Sequence, residues 1–298
     1  EYQNHKTPPA TKIAFSFDTG RKTCIVSGQR NTRIAELAAV FPTIHLSPDS
    51  HFTFQTQAKE RRSIIDWLLF HVKPSFYETW SRFRRITEQR NELLGTAGSR
   101  QALSAWNQEY VTVTSQLTEF RAQVISELQP IFQKFALDLL GSVGSAEIQY
   151  LKGWEDGLTL EEALEADFER DRARGITHSG PHRSDLLMHI GMLPARSWAS
   201  HGQYKLLVLA LRLAQIQLLT EQSEKECCLL IDDMPAELDR DHREKVLNLI
   251  SKLPTQIFLT ATNIHELSLN DWSEFHTFHV EHGQIKSENS LTKQCINC

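Results

Sequence analysis

The 298-residue sequence lacks several features that would place it in a class at once. No run approaches the roughly 20 consecutive apolar residues that a membrane span needs, and the first residues do not resemble a signal peptide. Cysteine is scarce, with five residues at Cys24, Cys227, Cys228, Cys295 and Cys298. A lone Cys-x-x-Cys pair at 295 and 298 is weak evidence for zinc, so we interpret all five as reduced thiols. We therefore expect a soluble, cytoplasmic protein with no membrane partner.

An excess of positive charge is also missing. The 32 basic and 37 acidic residues give a formal net charge of -5, so binding to nucleic acid would require a local basic patch. Such a patch lies between Lys59 and Arg90, where eight basic residues face four acidic ones and aromatic residues are interleaved. Arginines can hold phosphates and aromatic rings can stack on bases, which makes DNA-binding candidates of Arg61, Arg62, Arg82, Arg84, Arg85 and Arg90. Alternatively, the aromatics form the buried stripe of a helix and the arginines its solvated face.

The hydrophobic pattern divides the chain into residues 1–58, 59–140 and 141–298. The first part alternates in the manner of strands, beginning with a hairpin, and contains a short helix. From 59 to 140 apolar residues recur at steps of three and four, with a break at 95–98, which predicts two long antiparallel helices. The Gly- and Ser-rich residues 141–145 are the predicted linker to the third part.

In the third part, predicted strands and helices alternate. Thr159 and Glu162 form a capping box that predicts a helix ending at Arg174, and Gly175 is its predicted C-cap. Further strands are predicted at 146–151, 186–190, 227–231 and 256–260, and further helices at 202–219 and 240–253. Alternation of this kind predicts a parallel sheet that binds ligands at the carboxyl ends of its strands.

Two carboxylates follow the apolar strand predicted at 227–231. Asp232 stands where this strand emerges, a position from which a carboxylate can hold Mg²⁺ against nucleotide phosphates. Asp233 beside it can accept a proton from an attacking water. The alternative is a solvated turn at the end of a strand. Asp239 then precedes a predicted helix, where it can serve as an N-cap.

The helix start at Ser200, Gly202 and Gln203 is likewise open to two interpretations. Serine is a common N-cap, but the free N–H groups of a helix start can also bind a terminal phosphate. The sequence contains no Gly-x-x-x-x-Gly-Lys-Ser/Thr loop, which is the usual cradle for nucleotide phosphates. The 298 residues therefore carry one half of an ATP site without the other.

These segments, in this order, resemble the RecF family of SMC-like ABC ATPases. The resemblance rests on Thr-His-Ser-Gly-Pro-His-Arg-Ser-Asp-Leu at 177–186, on the helix start at 200–203 and on the carboxylate run at 229–239. It extends to 61–66, 89–91 and 169–171, and so covers nearly the whole chain.

The resemblance implies an α/β fold, an ABC/SMC-like ATPase head of the P-loop NTPase type. Its parallel or mixed sheet would be flanked by helices, with an inserted helical arm at 59–140. Residues 1–58 would be the remainder of the N-terminal ATPase lobe, preceded by the phosphate loop, and 141–298 the C-terminal lobe. It also implies ATP and Mg²⁺ as cofactors and an ATP-dependent homodimer. In that dimer, the signature helix of one protomer faces the nucleotide of its partner.

Roles are implied for individual residues as well. Asp232 would hold Mg²⁺, Asp233 would be the general base and Asp239 would belong to the D-loop that contacts the partner. The ATP signature would comprise Ser200, Gly202 and Gln203, and Thr260 or Thr262 would be the switch residue. The family motif without an assigned role comprises Gly180, Pro181, His182, Arg183 and Asp185. Two residues depart from the family's signature, His201 where arginine is frequent and Tyr204 where glutamine is usual.

The implied function is that of a DNA-dependent ATPase in DNA repair and replication. Such a protein would bind single-stranded, gapped and duplex DNA in an ATP-dependent manner, with recombination mediator proteins of the same pathway as partners. It would support recombinase loading and SOS induction. A second hypothesis is a DNA-binding or interaction module with decayed or absent ATPase activity, as the missing loop and altered signature suggest. A structural ATPase of chromosome organisation is disfavoured by the short arm.

Overall fold

The computed structural model describes residues 12–18, 21–26, 29–30, 34–47, 50–96, 100–141, 144–223, 225–234, 238–269, 272 and 274–288. Cys295 and Cys298, for which the sequence left zinc binding open, lie outside these residues. So do residues 235–237 of the carboxylate run.

The amino-terminal part begins with an antiparallel hairpin, as its alternating pattern predicted. β1 (Ile13–Asp18) pairs with β2 (Arg21–Val26), which turns back to β3 (Gln29–Arg30). The chain continues through α1 (Ile34–Val40), β4 (Thr43–Leu46) and α2 (Ser50–Thr56). β4 pairs with a strand almost 190 residues further along the chain, as described below.

The stretch from 58 to 140 is helical, but it is divided differently from the prediction. Its elements are α3 (Ala58–Val72), α4 (Phe76–Gly95) and α5 (Arg100–Leu140). The break between α3 and α4 falls at Pro74, which has no backbone N–H to donate and disfavours helix in the residue before it. The first predicted helix is therefore two helices, whereas the second is continuous through α5.

The third part contains the remaining elements. The predicted helix from 159 to 174 is interrupted at Asp167, although its capping box at Thr159 and the left-handed C-cap at Gly175 are both present. The elements are β5 (Ala146–Leu151), α6 (Leu160–Ala166), α7 (Phe168–Arg174), a 3-10 turn (Pro181–Arg183), β6 (Asp185–Ile190), β7 (Leu193–Pro194), α8 (Ala195–Trp198), α9 (His201–Ser223), β8 (Cys227–Ile231), α10 (Arg240–Ile250), β9 (Thr255–Leu259), β10 (Thr277–Glu281) and β11 (Gln284–Glu288).

The strands of this part do not all join one parallel sheet. β4, β8 and β9 are parallel and lie in the order β4-β8-β9, which confirms the parallel arrangement for the strand that precedes Asp232. β5 and β6 instead pair antiparallel, with Ala146 opposite Ile190, in a separate sheet that β7 extends. Parallel and antiparallel pairing together agree with the parallel or mixed sheet that the resemblance implies, whereas alternation along the sequence does not reveal which strands pair.

The core runs through helices from both sides of residue 140. Buried residues of α3 and α5, such as Leu68 and Leu117, belong to the same cluster as Leu207 and Leu211 of α9. α9 is apolar on nearly all sides because it lies in the middle of this cluster. In the part of the chain that the structure covers, no helix is both long enough and apolar enough to span a bilayer. Because the core cluster includes helices on both sides of residue 140, the predicted boundaries at 58 and 140 are ends of elements. A separate arm subdomain stays a prediction.

Gly180, in the turn before β6, is closely enclosed. Its φ of 145° is a value that L side chains rarely adopt, and a Cβ built on it would overlap the hydroxyl of Tyr110 in α5. That hydroxyl donates a hydrogen bond of 2.7 Å to the carbonyl of Ser179. The turn therefore rests directly on α5, and glycine is required by both the backbone conformation and the close approach of Tyr110.

Gly180→Ala should lower the free energy of unfolding by about 3 kcal/mol, because the backbone strain and the overlap with Tyr110 add together. Gly157→Ala is the matched control: its φ is 90°, but nothing lies within 4 Å of the added Cβ. It should cost only about 1 kcal/mol. Urea unfolding of both variants measures the difference, and equal losses would contradict the packing argument.

Candidate functional site

The carboxyl end of the parallel sheet brings together Asp232, Asp233 and Thr260. The Thr260 hydroxyl donates a 2.6 Å hydrogen bond to Oδ1 of Asp232 and accepts one of 2.9 Å from the backbone N–H of Asp233. Thr260 directly follows β9, and its own N–H is bound to the carbonyl of Ile231 at 2.9 Å. The pairing of β8 with β9 therefore places one hydroxyl between the two carboxylate residues.

Of the two predicted switch residues, the structure favours Thr260. Thr262 is exposed, and among the described residues it forms no hydrogen bond with either carboxylate.

Asp233 has two unusual features. Its φ is 47°, a left-handed conformation that is uncommon for a residue other than glycine and that costs free energy where it occurs. Its Oδ1 is shielded from solvent and has no hydrogen-bond partner among the residues described. A shielded carboxylate oxygen without a donor can accept a proton or a hydrogen bond from a bound group. The shielded oxygen distinguishes Asp233 from a fully solvated turn, and its role as a base stays a prediction.

Asp232 is exposed and offers hard oxygen ligands beside the Thr260 hydroxyl. Within the described ranges, no group of three or more His, Cys, Asp and Glu side chains could hold a metal by itself. Proteins usually hold Mg²⁺ through one or two carboxylates together with substrate phosphates and water. The oxygen ligands of Asp232 and Thr260 fit a site of that kind.

A small open cleft adjoins Asp232. It lies between the ends of β4 and β8 and one side of α9, and its walls are mostly apolar. Lys205 and Asp232 contribute charged groups at its edge, and Leu238 and Met234 close it on the side of α10. The cleft thus connects the carboxylates to the first turns of α9.

The signature residues at the start of α9 form a reciprocal cap. The Ser200 hydroxyl accepts a hydrogen bond from the Gln203 N–H at 3.2 Å, and the Gln203 side chain accepts one from the Ser200 N–H at 3.0 Å. Ser200 is therefore an N-cap in this chain, and no hydrogen bond joins these residues to Asp232 or Asp233 in the described structure. Gly202 is exposed, with open space where a Cβ would be. Nothing within the described part of the chain requires glycine there.

The two other uncertain residues near the site have clear structural roles. Tyr204 is buried against Phe54, and burial raises its pKa to about 12. Asp239 caps α10: its carboxylate accepts a hydrogen bond from the His242 N–H at 3.0 Å and pairs with the His242 ring at 2.6 Å. These bonds lower the pKa of Asp239. Since Asp239 stays exposed, the cap leaves it accessible to a partner.

The motif at 180–185 is mostly internal. Asp185 forms a two-point ion pair with Arg61 of α3, with distances of 2.7 and 2.9 Å. The Pro181 carbonyl accepts a 2.7 Å hydrogen bond from Arg121 of α5, and His182 contacts the Thr177 carbonyl at 2.8 Å. Only its Arg183 side chain is exposed. The contacts of the motif therefore hold the turn before β6 against α3 and α5.

Two of the six DNA-binding candidates are corrected by the structure. Arg61 is 4% exposed, and its remaining N–H groups bind the carbonyls of Phe54 and Gln55. Arg90 is fully buried, with its guanidinium bound to Asp171 at 2.9 Å and to Thr177 at 2.6 Å. Because both side chains are enclosed and paired, neither can reach a DNA phosphate in this conformation. Arg62 is half-buried and binds the Ser184 carbonyl at 2.7 Å.

Arg82, Arg84 and Arg85 lie on α4 and are all exposed, as a DNA-binding surface requires. Two of them already have carboxylate partners, Glu109 at 2.8 Å from Arg82 and Glu88 at 3.3 Å from Arg84. The guanidinium of Arg84 also lies 5.1 Å from the ring of Trp80. The aromatic residues of α4 also differ in exposure: Phe76 and Phe83 are buried, whereas Tyr77 is 43% exposed. The buried aromatics agree with the interpretation of a buried stripe, and contact of the exposed arginines with DNA stays a prediction.

Comparison with solved structures defines the class of this protein. No family model matches the chain. A structure of the recombination mediator protein RecF with ATP, from the RecFOR pathway, superposes with a TM-score of 0.78 at 20% identity, over 94% of this chain and 76% of that one. The Smc head domain of Pyrococcus furiosus with an extended coiled coil gives 0.52 at 15% identity, over 94% and 72%. The fold is that of an ABC/SMC-like ATPase head, as predicted.

Sequence comparison identifies the family within this class. The chain is 36% identical over 263 residues to the DNA replication and repair protein RecF of Vibrio campbellii, covering 88% of this chain and 73% of the relative. It is 36% identical over 274 residues to the RecF protein of Shewanella baltica, covering 90% and 75%. The chain belongs to the RecF family, which confirms the resemblance drawn from its motifs.

Proposed function

We propose that this chain forms the Mg²⁺- and water-binding half of an ATP site in a DNA repair and replication protein of the RecF type. The observation that carries the proposal is the hydrogen-bonded set of Thr260, Asp232 and Asp233 at the carboxyl end of β8. Family membership supports it, because the RecF relatives are named as DNA replication and repair proteins and a similar solved structure is a complex with ATP.

Each residue of the set has a separate role in hydrolysis. Asp232 would hold Mg²⁺ through its carboxylate oxygens, and the bound ion would neutralise charge on the nucleotide phosphates. Asp233 takes the proton of the attacking water, with the shielded Oδ1 as the acceptor. The Thr260 hydroxyl binds both the Asp232 carboxylate and the backbone N–H of Asp233. It would thereby keep the proposed metal ligand, Asp232, at a fixed distance from the proposed base, Asp233.

The signature residues Ser200, Gly202 and Gln203 would act on a second ATP site. They make no described hydrogen bond with the carboxylates of their own chain, and Gly202 is exposed with open space around it. In an ATP-dependent homodimer, the start of each α9 would face the nucleotide of the other protomer. Each ATP site would then combine the carboxylates of one protomer with the signature residues of its partner. Asp239, exposed at the start of α10, would contact the partner in the same dimer.

DNA and the pathway proteins complete the proposal. The ATP-bound dimer would bind single-stranded, gapped and duplex DNA, act with recombination mediator proteins in the cytoplasm, and support recombinase loading and SOS induction. Arg82, Arg84 and Arg85 are the accessible candidates of α4 for contact with DNA phosphates. A DNA-binding module without hydrolysis is the alternative, and the first experiment below separates the two.

Asp233→Asn should abolish ATP hydrolysis while preserving binding. In a chain extended at its amino terminus by the phosphate-loop segment of a RecF relative, kcat should fall at least about 100-fold, because the amide cannot accept the proton. Affinities for ATP and DNA should change by less than about twofold, since the amide keeps the size of the carboxylate. Steady-state phosphate release and equilibrium binding of labelled ATP provide these values.

Asp241→Asn, at an exposed position of α10, is the matched control and should hydrolyse ATP at the parent rate. Undiminished hydrolysis by Asp233→Asn would remove Asp233 from the role of base. Absence of hydrolysis in the extended parent chain would favour the non-catalytic module.

Replacing Arg84 and Arg85 by alanine should reduce the salt dependence of DNA affinity, by up to about one unit of logarithmic slope for each phosphate that the variant no longer binds. Glu88→Gln removes the carboxylate that partners Arg84, so it should strengthen binding. Fluorescence anisotropy of labelled duplex over a series of KCl concentrations measures both effects. An unaltered slope in the double variant would mean that this face of α4 is merely solvated.

A further inference from the structure

Ser47 lies beside Asp232 on the side opposite Thr260. β4 and β9 flank β8 in the parallel sheet, and Ser47 and Thr260 are the residues that directly follow them. The Asp232 N–H binds the Leu46 carbonyl at 2.9 Å, and the Thr260 N–H binds the Ile231 carbonyl at 2.9 Å. The end of β8 therefore has a hydroxyl residue on each side of its carboxylate.

Ser47 and Ser50 are joined by hydrogen bonds of both backbone and side chain. The Ser47 N–H binds Oγ of Ser50 at 2.8 Å, and the Ser50 N–H binds the Ser47 carbonyl at 2.9 Å. The two Oγ atoms lie 2.9 Å apart. Both residues are partly buried. Side chains fixed in this way lose little conformational freedom when they bind a ligand.

The hydroxyl pair retains one unused donor. Each serine hydroxyl carries one proton and two lone pairs, and the bond between the two Oγ atoms uses one of the two protons. Whichever serine donates in that bond, the proton of the other has no acceptor among the residues described. The pair can therefore donate one hydrogen bond to a ligand oxygen.

Both serines line the cleft that contains Asp232. The walls of this cleft include apolar residues such as Leu209 and Met234. A hydrogen bond in apolar surroundings is stronger than one in water, and a donor left without an acceptor there is correspondingly costly. An anionic oxygen held next to Asp232 would supply the acceptor that the hydroxyl pair lacks.

We propose that Ser47 and Ser50 form a subsite for an oxygen of the terminal phosphate of the nucleotide. One hydroxyl donates to the phosphate oxygen, and the other holds the first in place. The inference rests on the proposed function, in which Asp232 holds Mg²⁺ beside that phosphate. The subsite belongs to the chain's own nucleotide, whereas the signature residues of α9 would act on the nucleotide of the partner.

Mg²⁺ tripolyphosphate, which has the phosphate chain without the nucleoside, is the probe for the 298-residue chain. Its affinity, followed by phosphorus NMR at millimolar concentrations, should fall about 5- to 10-fold in the Ser47→Ala and Ser50→Ala double variant, because a hydrogen bond to a charged oxygen is lost. Ser47→Ala alone keeps the Ser50 hydroxyl and its bond with the Ser47 N–H, so it should lose only about two- to threefold.

Two controls distinguish a phosphate contact from a general effect. Ser47→Thr keeps the hydroxyl and should retain the affinity of the parent chain. Ser126→Ala removes an exposed hydroxyl of α5 that binds the Gln123 carbonyl of its own helix at 2.7 Å, and it should not change the affinity. Thermal melts by circular dichroism identify the variants that are folded during the titration. If the double variant is not folded, Ser47→Ala decides, and parent affinity in it would overturn the subsite.

The outcomes separate the inference from the proposed function, with Asp232→Asn as the reference variant. Binding that is lost in Asp232→Asn but unchanged in the folded double serine variant would overturn this subsite alone. A parent chain that does not bind the probe, or that binds it equally well after Asp232→Asn, would overturn the subsite and the proposed Mg²⁺ site together.

Discussion

Three ion pairs between buried arginines and aspartates connect distant segments of this structure. Arg61 pairs with Asp185, Arg90 with Asp171 and Arg121 with Asp66, and each arginine is at most 4% exposed. Removing one member of such a pair leaves an unpaired charge inside the protein, which typically costs about 3–5 kcal/mol. Two of the pairs join residues 81 and 124 positions apart, so they connect α3 and α4 to the segment that leads into β6.

The candidate sites depend on this connection. α9 starts at the signature residues, and its Gln215 donates a 2.7 Å hydrogen bond to the Ile64 carbonyl of α3. The same helix lines the cleft beside Asp232. α3 therefore contacts both the helix that lines this cleft and the 180–185 turn. In the proposed function, coupling of ATP to DNA would run through these packed helices and ion pairs.

Part of this arrangement could be predicted from the sequence. Local signals predicted the hairpin, the capping box at Thr159 and the left-handed cap at Gly175. The resemblance named Thr260 only as one of two switch candidates, and the parallel pairing of β8 with β9 explains why it lies beside Asp232. The burial of Arg61 and Arg90 did not follow, because whether an arginine is buried depends on carboxylates far away in the sequence. The antiparallel pairing of β5 with β6 could not be predicted either, because the tertiary fold determines which strands pair.

Native-state hydrogen exchange is the most direct test of the claim that the helices from 58 to 140 form one cooperative unit with the carboxyl-terminal elements. The account predicts that the slowest amides of α3, α5, β6 and α9 open with free energies within about 1 kcal/mol of each other and with the same dependence on urea. Opening of α3 and α5 at a free energy several kcal/mol below that of β6 and α9 would contradict it. In that case the helices would be a separate arm that the buried ion pairs do not secure.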